Sequence, residues 1–341
     1  MTVVYYSFCV LSVLCAWAAE KKNNKILFAI SAILIAVIAG ARAETVGIDT
    51  TGYYTYIDWA EKDILKNVEP GFIFLSKYLL RLFGEIKWVV FFFSGLTVVF
   101  MFTRFWTLRN KASYALMVFF YLAFYLQLSM NVMRQFFAIS IVFLASVFLE
   151  KKKYLIFLLV SIVAMLFHYS AIFAAVIFVV YFWNGTKKGI KKLALLLSIC
   201  ALVLLTYNYI GSLLNLYSGY FDEMQVDIGL MVLAKVALLV FFIIFNRLYI
   251  YHNEENDPTA KNVVTVYIIG LAITMLGYFF TYMERVAFAF MMFEPVCLAL
   301  MCKKHYKGLF RVATVALAAF IIYSSYSSNG NGVFPYAWIF G

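Results

Sequence analysis

Residues 131–153, NVMRQFFAISIVFLASVFLEKKK, combine an apolar run with different polar groups at its two ends. As an α-helix, the run 132–149 is long enough to cross most of the roughly 30 Å hydrocarbon core of a bilayer. Asn131, Arg134 and Gln135 lie at its start, and Glu150 and three lysines follow its end. The stretch therefore predicts a membrane-spanning helix whose ends face different compartments.

The composition of the 341-residue chain extends this prediction to the whole protein. The chain is 65% hydrophobic and 13% charged, whereas soluble domains carry about 25% charged residues. Its apolar runs are continuous and lack the period-two alternation of transmembrane strands. We predict an all-α polytopic membrane protein, a single integral membrane domain over 1–341 with about 11–12 helical elements. The predicted spans are 2–19, 25–41, 86–103, 113–129, 132–149, 190–207, 230–246, 262–282, 286–302 and 309–323.

The stretch 154–182 is apolar but has lysine-rich sequence on both sides. Because cytoplasmic loops collect Lys and Arg, both flanks favour the inner side. This predicts a hairpin of two short helices with its turn at LFHYSAIF, residues 166–173, on the outer side. A single broken span is the alternative, and it would invert the topology of everything that follows.

With the hairpin in place, the basic residues separate by side. The six predicted inner loops hold nineteen of the 28 Lys and Arg residues but only five of the 17 acidic residues. This asymmetry follows the positive-inside rule. The net charge of +11 is therefore explained by a lipid bilayer as partner, and it predicts no nucleic-acid binding.

The predicted outer segments include a loop over 42–85 and a C-terminal tail over 324–341. Within the loop, residues 52–65 have apolar side chains at helical spacing, which predicts an amphipathic helix in the membrane surface. Asp49 or the residue after it can cap this helix, and Pro70 suits the first turn of a second amphipathic helix. The apolar face of the first helix comprises Tyr53, Tyr56, Ile57, Ala60 and Ile64.

Arginine side chains lie at three predicted outer helix ends, as Arg42, Arg134 and Arg285. A guanidinium is permanently charged and matches phosphate oxygens as a planar fork, so three converging arginines could bind a diphosphate. Asn131 and Gln135 are spaced to share a helical face with Arg134 and are candidates to position substrate. Plainer explanations are snorkelling for Arg134, interfacial anchoring for Arg42, and pairing with the adjacent glutamate for Arg285.

Three outer residues are candidates for a base that activates an acceptor hydroxyl: His168, Asp49 and Glu284. A neutral imidazole or a carboxylate can take up the hydroxyl proton. His168 is also explained as a hydrogen-bonded packing histidine, and Asp49 as a helix cap. The residues alone leave these alternatives open.

The outer segments are also rich in aromatic residues. Membrane-interface belts use Tyr and Trp as ordinary anchors, and stacking on sugar rings is a second use for a few, with Tyr53, Tyr54 and Tyr336 as candidates. The sequence holds no Walker A, Rossmann glycine or zinc signature. We therefore expect no metal and no cofactor.

An ordered set of short motifs runs through the chain. These are Arg42, Gly47, Asp49 and Thr50 followed by tyrosines, EPGF (69–72), NVMRQFFAISI (131–141), FHYSAIF (167–173), ERVAF (284–288) and Pro335-Tyr336. In this order and spacing the chain resembles the EpsG/Wzy-like family of bacterial surface-polysaccharide polymerases. Ile48 departs from the pattern, where a small or polar residue is expected between the glycine and the aspartate.

The resemblance implies a glycosyltransferase of the bacterial inner membrane with a periplasmic active face. Such polymerases transfer a growing glycan from undecaprenyl diphosphate to the next lipid-linked repeat unit. An undecaprenyl-diphosphate-linked oligosaccharide would be both donor and acceptor, and a chain-length regulator protein is a further candidate partner. The product, whether O-antigen, capsule or exopolysaccharide, stays open.

Two other classes of function compete with this one. A transporter or flippase of lipid-linked glycan would need polar residues along a path through the membrane, and Glu294 is the clearest charged residue deep in a predicted span. A membrane O-acyltransferase would also use a histidine, but its donor usually arrives from the cytoplasm. The concentration of unusual polar residues on one side favours a transferase acting at the outer face.

Overall fold

The computed structural model describes residues 2–65, 68–183, 239–241, 243–244, 258–277, 283–304 and 308–340. Within these ranges the regular structure is helical, which confirms the all-α class. A 3-10 helix at Tyr169–Phe173 follows the ninth α-helix. The α-helices are α1 (Thr2–Lys22), α2 (Lys25–Gly40), α3 (Thr50–Glu61), α4 (Pro70–Phe83), α5 (Ile86–Thr107), α6 (Tyr114–Phe124), α7 (Leu126–Asn131), α8 (Met133–Glu150), α9 (Tyr154–Met165), α10 (Ala174–Phe182), α11 (Pro258–Leu276), α12 (Met283–Met291), α13 (Glu294–Lys304) and α14 (Leu309–Ser328).

Four helices among the described residues, α1, α5, α8 and α11, are long and apolar enough to cross a membrane. The bent pair α12 and α13 makes a fifth span if it is counted as one. Shorter apolar helices, among them α2, α6 and α9, add to these. The protein is therefore a multi-pass membrane protein, as the hydropathy of the sequence predicted.

The chain folds into two compact units, and the first comprises Met1–Val147, Leu159–Ala171 and Pro295–Gly341. Its helices α1 and α2 pack together, and α2 also packs on α5. A Cβ on Gly40 would lie only 2.8 Å from the Phe91 ring, so glycine permits close approach of α2 and α5. Membrane helices commonly use small residues in this way.

The second unit comprises Phe148–Leu158 and Ile172–Glu294. Within it α11 packs against α12. Tyr154, at the start of α9, contacts Phe178 and Phe182 near the end of α10, with ring centroids 5.7 and 5.5 Å apart. The start of α9 thus meets the end of α10, which confirms the predicted hairpin over 154–182 and excludes one broken span.

Within the described part of the chain, two predicted spans are interrupted. The span 113–129 forms α6 and α7 with a break at Tyr125, and the span 286–302 forms α12 and α13, which are bent by 46°. Pro295 lies in the first turn of α13, where its missing N–H leaves no intrahelical bond unmade. Hydropathy reports the length of an apolar run but not a change of direction within it. The predicted span 190–207 and most of 230–246 lie outside the described residues.

Helix α3 confirms that this stretch is an amphipathic helix, with Tyr53, Ile57 and Ala60 buried on one face, and its place in the membrane surface stays a prediction. The prediction was wrong for Ile64, which lies beyond the helix end and is 58% exposed. Capping also differs, because Asp49 occupies the N-cap position without a side-chain hydrogen bond to the helix. Helix α4 begins at the predicted proline and packs against both α3 and α5.

Candidate functional site

The outer loop and the C-terminal tail are held together by backbone hydrogen bonds. We call residues 41–50 and 329–340 the loop–tail layer. Its bonds run from Ala43 N to Ala337 O (2.9 Å), Gly47 N to Gly332 O (2.8 Å), Ile48 N to Asn331 O (3.3 Å) and Ile339 N to Ala41 O (3.1 Å). Parts of both predicted outer segments therefore form one layer in the first unit.

Arg42 belongs to the loop–tail layer, and its side chain is completely buried. Its guanidinium donates to Thr50 Oγ1 (3.2 Å), Ser94 Oγ (2.8 Å) and the carbonyl of Met130 (2.8 Å), and also to the carbonyl of Ala39. Burial lowers the pKa of Arg42 to about 10. All these acceptors are neutral. They therefore occupy the N–H donors of Arg42 without cancelling its positive charge. Direct binding of a diphosphate by Arg42 would require these bonds to break.

Asn131 connects the loop–tail layer to the end of α7. Its Nδ2 donates to the carbonyl of Asn331 over 2.8 Å, and its Oδ1 accepts from the backbone N–H of Asp49 over 3.4 Å. A Cβ on Gly47, whose φ is +95°, would lie 2.7 Å from the same Oδ1, so this turn requires glycine. The expectation that Asn131 shares a helical face with Arg134 was wrong, because α7 ends at Asn131 and α8 begins after a break.

The EPGF motif joins the start of α4 to the turn of the α9–α10 hairpin. Gly71 N donates to the carbonyl of Leu166 over 2.8 Å, and a Cβ on Gly71 would lie 2.7 Å from that carbonyl oxygen. Glu69 Oε1 accepts from the backbone N–H of Tyr169 over 3.3 Å. Both contacts hold the hairpin turn against the outer loop.

Arg134 lies in the first turn of α8 and pairs with Glu69. Its Nη1 is 2.5 Å from Glu69 Oε2, and the side chains are 19% and 6% exposed. The guanidinium carbon also lies 5.5 Å from the Tyr56 ring centroid and 5.4 Å from that of Phe72. The Arg134 Nε is buried and has no hydrogen-bond partner among the described residues. The arginine is thus oriented by a carboxylate and two rings, with donor capacity remaining.

His168 is placed by the aromatic residue before it. The Phe167 ring packs edge-on against Phe137, with centroids 5.0 Å apart, and Phe137 in turn contacts Phe93. His168 Nδ1 lies 2.8 Å from Ser170 Oγ and accepts from the backbone N–H of Ser170 over 3.2 Å. The ring is half-buried. Both of these Nδ1 contacts are with Ser170, which lies in the same turn.

Gln135 follows Arg134 in α8 and reaches the same turn. Its Nε2 donates to Ser170 Oγ over 3.1 Å, and its side chain is buried. Gln135 thus contacts His168 through Ser170. Glu69, Arg134, Gln135, His168 and Ser170 form one set of polar contacts, which we call the Glu69–His168 cluster.

Asp49, in the loop–tail layer, and Arg134, in α8, both lie close enough to Tyr53 to affect its hydroxyl. Burial raises the pKa of Tyr53, the charge of Arg134 lowers it, and the charge of Asp49 raises it. Both charges therefore act on the same hydroxyl. The half-buried Asp49 carboxylate makes no hydrogen bond or ion pair within the described part of the chain. It remains a candidate base.

The other two tyrosine candidates differ in exposure. Tyr54 is half-buried. Tyr336 is buried, and its hydroxyl donates to the carbonyl of Ile38 over 2.7 Å. Tyr336 therefore attaches the tail to the end of α2, and a role for it in positioning substrate stays a prediction.

Glu284 and Arg285 belong to the second unit, where both are exposed in the first turn of α12. Glu294 begins α13 after the bend, and its Oε1 accepts from the Tyr267 hydroxyl over 2.6 Å. The described residues contain no group of three or more His, Cys, Asp or Glu side chains that could hold a metal ion. The convergence of Arg285 with Arg42 and Arg134 remains a prediction.

Sequence reasoning missed Glu69 and Ser170 as site residues. Glu69 was visible only as a carboxylate before a helix-starting proline, which has an ordinary explanation as a helix start. Ser170 stands two residues after the candidate histidine, a spacing at which side chains and backbone often bond locally. Only the fold shows that both contact α8.

The EpsG family model matches residues 25–338 of the chain. No curated protein matches the chain, and no solved structure matches it. The family match spans the loop–tail layer, the Glu69–His168 cluster and both units.

Proposed function

The chain belongs to the EpsG family, and from this premise we propose that it is a polysaccharide polymerase acting at the outer face of a bacterial inner membrane. Membership of the family supports polysaccharide polymerisation in general. In the proposal, undecaprenyl-diphosphate-linked oligosaccharides serve as donor and acceptor. The proposed enzyme is a glycosyltransferase of the Wzy type.

The observation that carries the proposal is that Arg134, in the Glu69–His168 cluster, is held in place while its buried Nε has no hydrogen-bond partner among the described residues. Glu69 holds one terminal nitrogen, and the rings of Tyr56 and Phe72 restrict the plane of the guanidinium. A buried arginine nitrogen without a partner is costly, and a phosphate oxygen would satisfy it with a charge-assisted hydrogen bond. The site is thereby suited to an anionic ligand at the first turn of a membrane helix.

The reaction needs no nucleotide, because the donor is already activated by its diphosphate. The acceptor hydroxyl oxygen attacks the anomeric carbon of the donor glycan, and the bond from that carbon to the diphosphate oxygen breaks. The hydroxyl proton passes to a base, for which Asp49 is the candidate with an unengaged carboxylate among the described residues. The lipid diphosphate leaves with its added negative charge stabilised by Arg134.

Arg42 and Arg285 have different places in this proposal. Arg42 contributes positive potential from its buried position in the loop–tail layer, since its acceptors are uncharged. Arg285 is exposed in the second unit and offers a further phosphate ligand. Glu284, beside it, is a second candidate base.

The test is polymer formation by purified protein with a synthetic lipid-linked repeat unit and a metal chelator. We expect a ladder of products from the wild type and none from Arg134→Ala, while Arg81→Ala, which changes an exposed arginine on α4, keeps the ladder. Correct folding of each variant is checked by thermal unfolding in detergent. Normal product lengths from a folded Arg134→Ala protein would remove the arginine from the mechanism.

A flippase is the second candidate, and one observation favours it. Helices α12 and α13 are bent by 46°, and Glu294 lies just after the bend in hydrogen-bonding contact with Tyr267. Transporters use interrupted helices with polar groups at substrate sites. In the same preparation, translocation of the lipid-linked unit across liposomes without longer products would support this function against polymerisation.

A further inference from the structure

We infer that the first unit holds a binding site for the phosphate of an anionic membrane lipid at the end where α1 stops and α2 starts. The members of the site, which we call the basic rim, are Trp17, Lys21, Lys22, Lys25 and Arg109. The inference goes beyond the proposed function. The rim lies at the end of α2 opposite Arg42, and it does not depend on which reaction the protein catalyses.

The turn between α1 and α2 presents its lysines on a well-defined backbone. Helix α1 ends at Lys22 and α2 begins at Lys25. Between them Asn23 adopts a left-handed conformation with a φ of +46°. The side chain of Asn24 accepts from the first backbone N–H groups of α2 over 2.8 and 3.1 Å. Both helix ends are therefore fixed, and Lys21 and its two neighbours in the rim are exposed within a stretch of five residues.

Arg109 reaches the same turn from the loop after α5. Its Nε donates to Asn23 Oδ1 over 3.1 Å, and its Nη1 donates to the carbonyl of Trp106 over 3.0 Å. The guanidinium carbon lies 4.4 Å from the centroid of the Trp106 ring, which stacks on Phe28 of α2 with centroids 5.0 Å apart. Two turns that are 86 positions apart in the sequence therefore meet, and a fourth cation joins the three lysines.

The acidic residue nearby does not neutralise the basic rim. Glu20 is the one acidic residue in the sequence stretches 17–25 and 104–114. Its Oε2 accepts from Ser113 Oγ over 2.8 Å and from Ala115 N over 3.2 Å, so this carboxylate serves the start of α6. Within the described residues none of the three rim lysines is in an ion pair. The rim therefore has a surplus of positive charge.

The surroundings of the rim favour a lipid headgroup as the anion. Helices α1 and α5 are each long and apolar enough to cross a membrane, and the rim lies at the end of both, where headgroup phosphates are expected. Lys21 lies over the Trp17 ring at 4.0 Å, while Trp17 and Leu14, one turn earlier in α1, are 51% and 54% exposed. Basic residues beside membrane helices attract anionic headgroups, and interfacial indoles pack beside acyl chains. A lipid therefore matches both the charge and the apolar side of the rim, whereas a soluble anion matches only the charge.

Lipid binding to the purified full-length protein tests the site. Bound lipid is counted by native mass spectrometry in mild detergent, and thermal unfolding is measured in parallel. The probes are phosphatidylglycerol, phosphatidylcholine and inorganic phosphate. We expect phosphatidylglycerol to bind and to raise the unfolding temperature, and phosphatidylcholine, which has no net charge, to bind at least about tenfold more weakly. Equal binding of the two lipids, or equal stabilisation by inorganic phosphate, would overturn the inference.

Two triple variants remove the same charge from different places. The rim variant combines Lys21→Gln, Lys22→Gln and Lys25→Gln. The control variant changes three exposed lysines that follow α8, namely Lys151→Gln, Lys152→Gln and Lys153→Gln. We expect the rim variant to lose about 100-fold in affinity for phosphatidylglycerol, at roughly fivefold for each lysine, and the control to keep the wild-type affinity. Equal losses in both variants, or an unchanged rim variant, would overturn the site.

Asn23→Gly tests the geometry of the rim apart from its charge. Glycine adopts the left-handed conformation of this turn, but it lacks the Oδ1 that holds Arg109. Every charge is retained, and we expect the affinity for phosphatidylglycerol to fall about fivefold, the share of one cation. Unchanged affinity would contradict the joining of the two turns in one site. None of these measurements uses polymer formation, so their outcome is separate from that of the proposed function.

Discussion

Glu69 and Arg134 lie 65 positions apart in the sequence, and Arg134 Nη1 is 2.5 Å from Glu69 Oε2. Glu69 precedes α4 and Arg134 lies in the first turn of α8, so the pair joins the start of α4 to a helix long and apolar enough to cross a membrane. Because Glu69 also binds the N–H of Tyr169, the hairpin turn is attached at the same place. Three segments of the first unit thus depend on one carboxylate.

Replacing Glu69 with alanine should destabilise the protein strongly. The change leaves the mostly buried Arg134 charge without its carboxylate, which costs about 3 kcal/mol, the lower end of the range for breaking a buried pair. The matched control is Glu61→Ala, which breaks a more exposed pair with Arg81 worth under about 1 kcal/mol. Thermal unfolding in detergent measures both, and equal shifts would contradict the role of the Glu69 pair.

Gly71→Ala should separate the outer loop from the hairpin turn. The new Cβ would lie 2.7 Å from both the backbone oxygen and the Cβ of Leu166, and overpacking of this kind costs about 1–3 kcal/mol. Gly52→Ala in α3 is the control, because a Cβ there meets nothing within 4 Å and alanine favours the helix by about 1 kcal/mol. The free energies of unfolding should therefore move in opposite directions, and a stabilised Gly71→Ala protein would show that the contact with Leu166 is loose.

Arg42→Lys should keep the buried charge but lose the branched set of hydrogen bonds. A single ammonium group cannot reach Thr50, Ser94 and Met130 together, and each lost bond to a charged group is worth about 1.5–3 kcal/mol. Arg81→Lys on the exposed face of α4 should have almost no effect on the unfolding temperature. A stable Arg42→Lys protein without polymerase activity would instead favour direct contact of Arg42 with the diphosphate.

Asp49→Asn should lower turnover without unfolding the protein. Asparagine has the same shape, and the Asp49 side chain makes no cap bond to α3, so little stability is at stake. Loss of a general base typically costs about 10²–10⁴-fold in rate. The control is Glu44→Gln, since Glu44 is an exposed carboxylate of the same loop. Unchanged polymer formation by Asp49→Asn would move the base role to Glu284.

The predicted hairpin shows how far local sequence can reach. Lysines on both sides of 154–182 required both flanks to lie on one side, and the contact between Tyr154 and Phe182 agrees. Asn131 shows the limit of the same reasoning. Its spacing from Arg134 predicted a shared helical face, but the helix breaks between the two residues. A break leaves polar groups that need hydrogen-bond partners elsewhere in the folded chain. The Asn131 side chain, at the break, bonds to the carbonyl of the distant Asn331.

The sequence by itself determined the all-α membrane class, the hairpin and the amphipathic helix α3, because run length, helical spacing and the side on which Lys and Arg collect are local properties of the chain. The tertiary structure decided the partners: Glu69 with Arg134, Gln135 with Ser170, and Asn131 with Asn331. These contacts join residues 35 to 200 positions apart. Hydrogen bonds and ion pairs act over about 3 Å and depend on direction, so they form only once the packing of the helices has brought distant segments together.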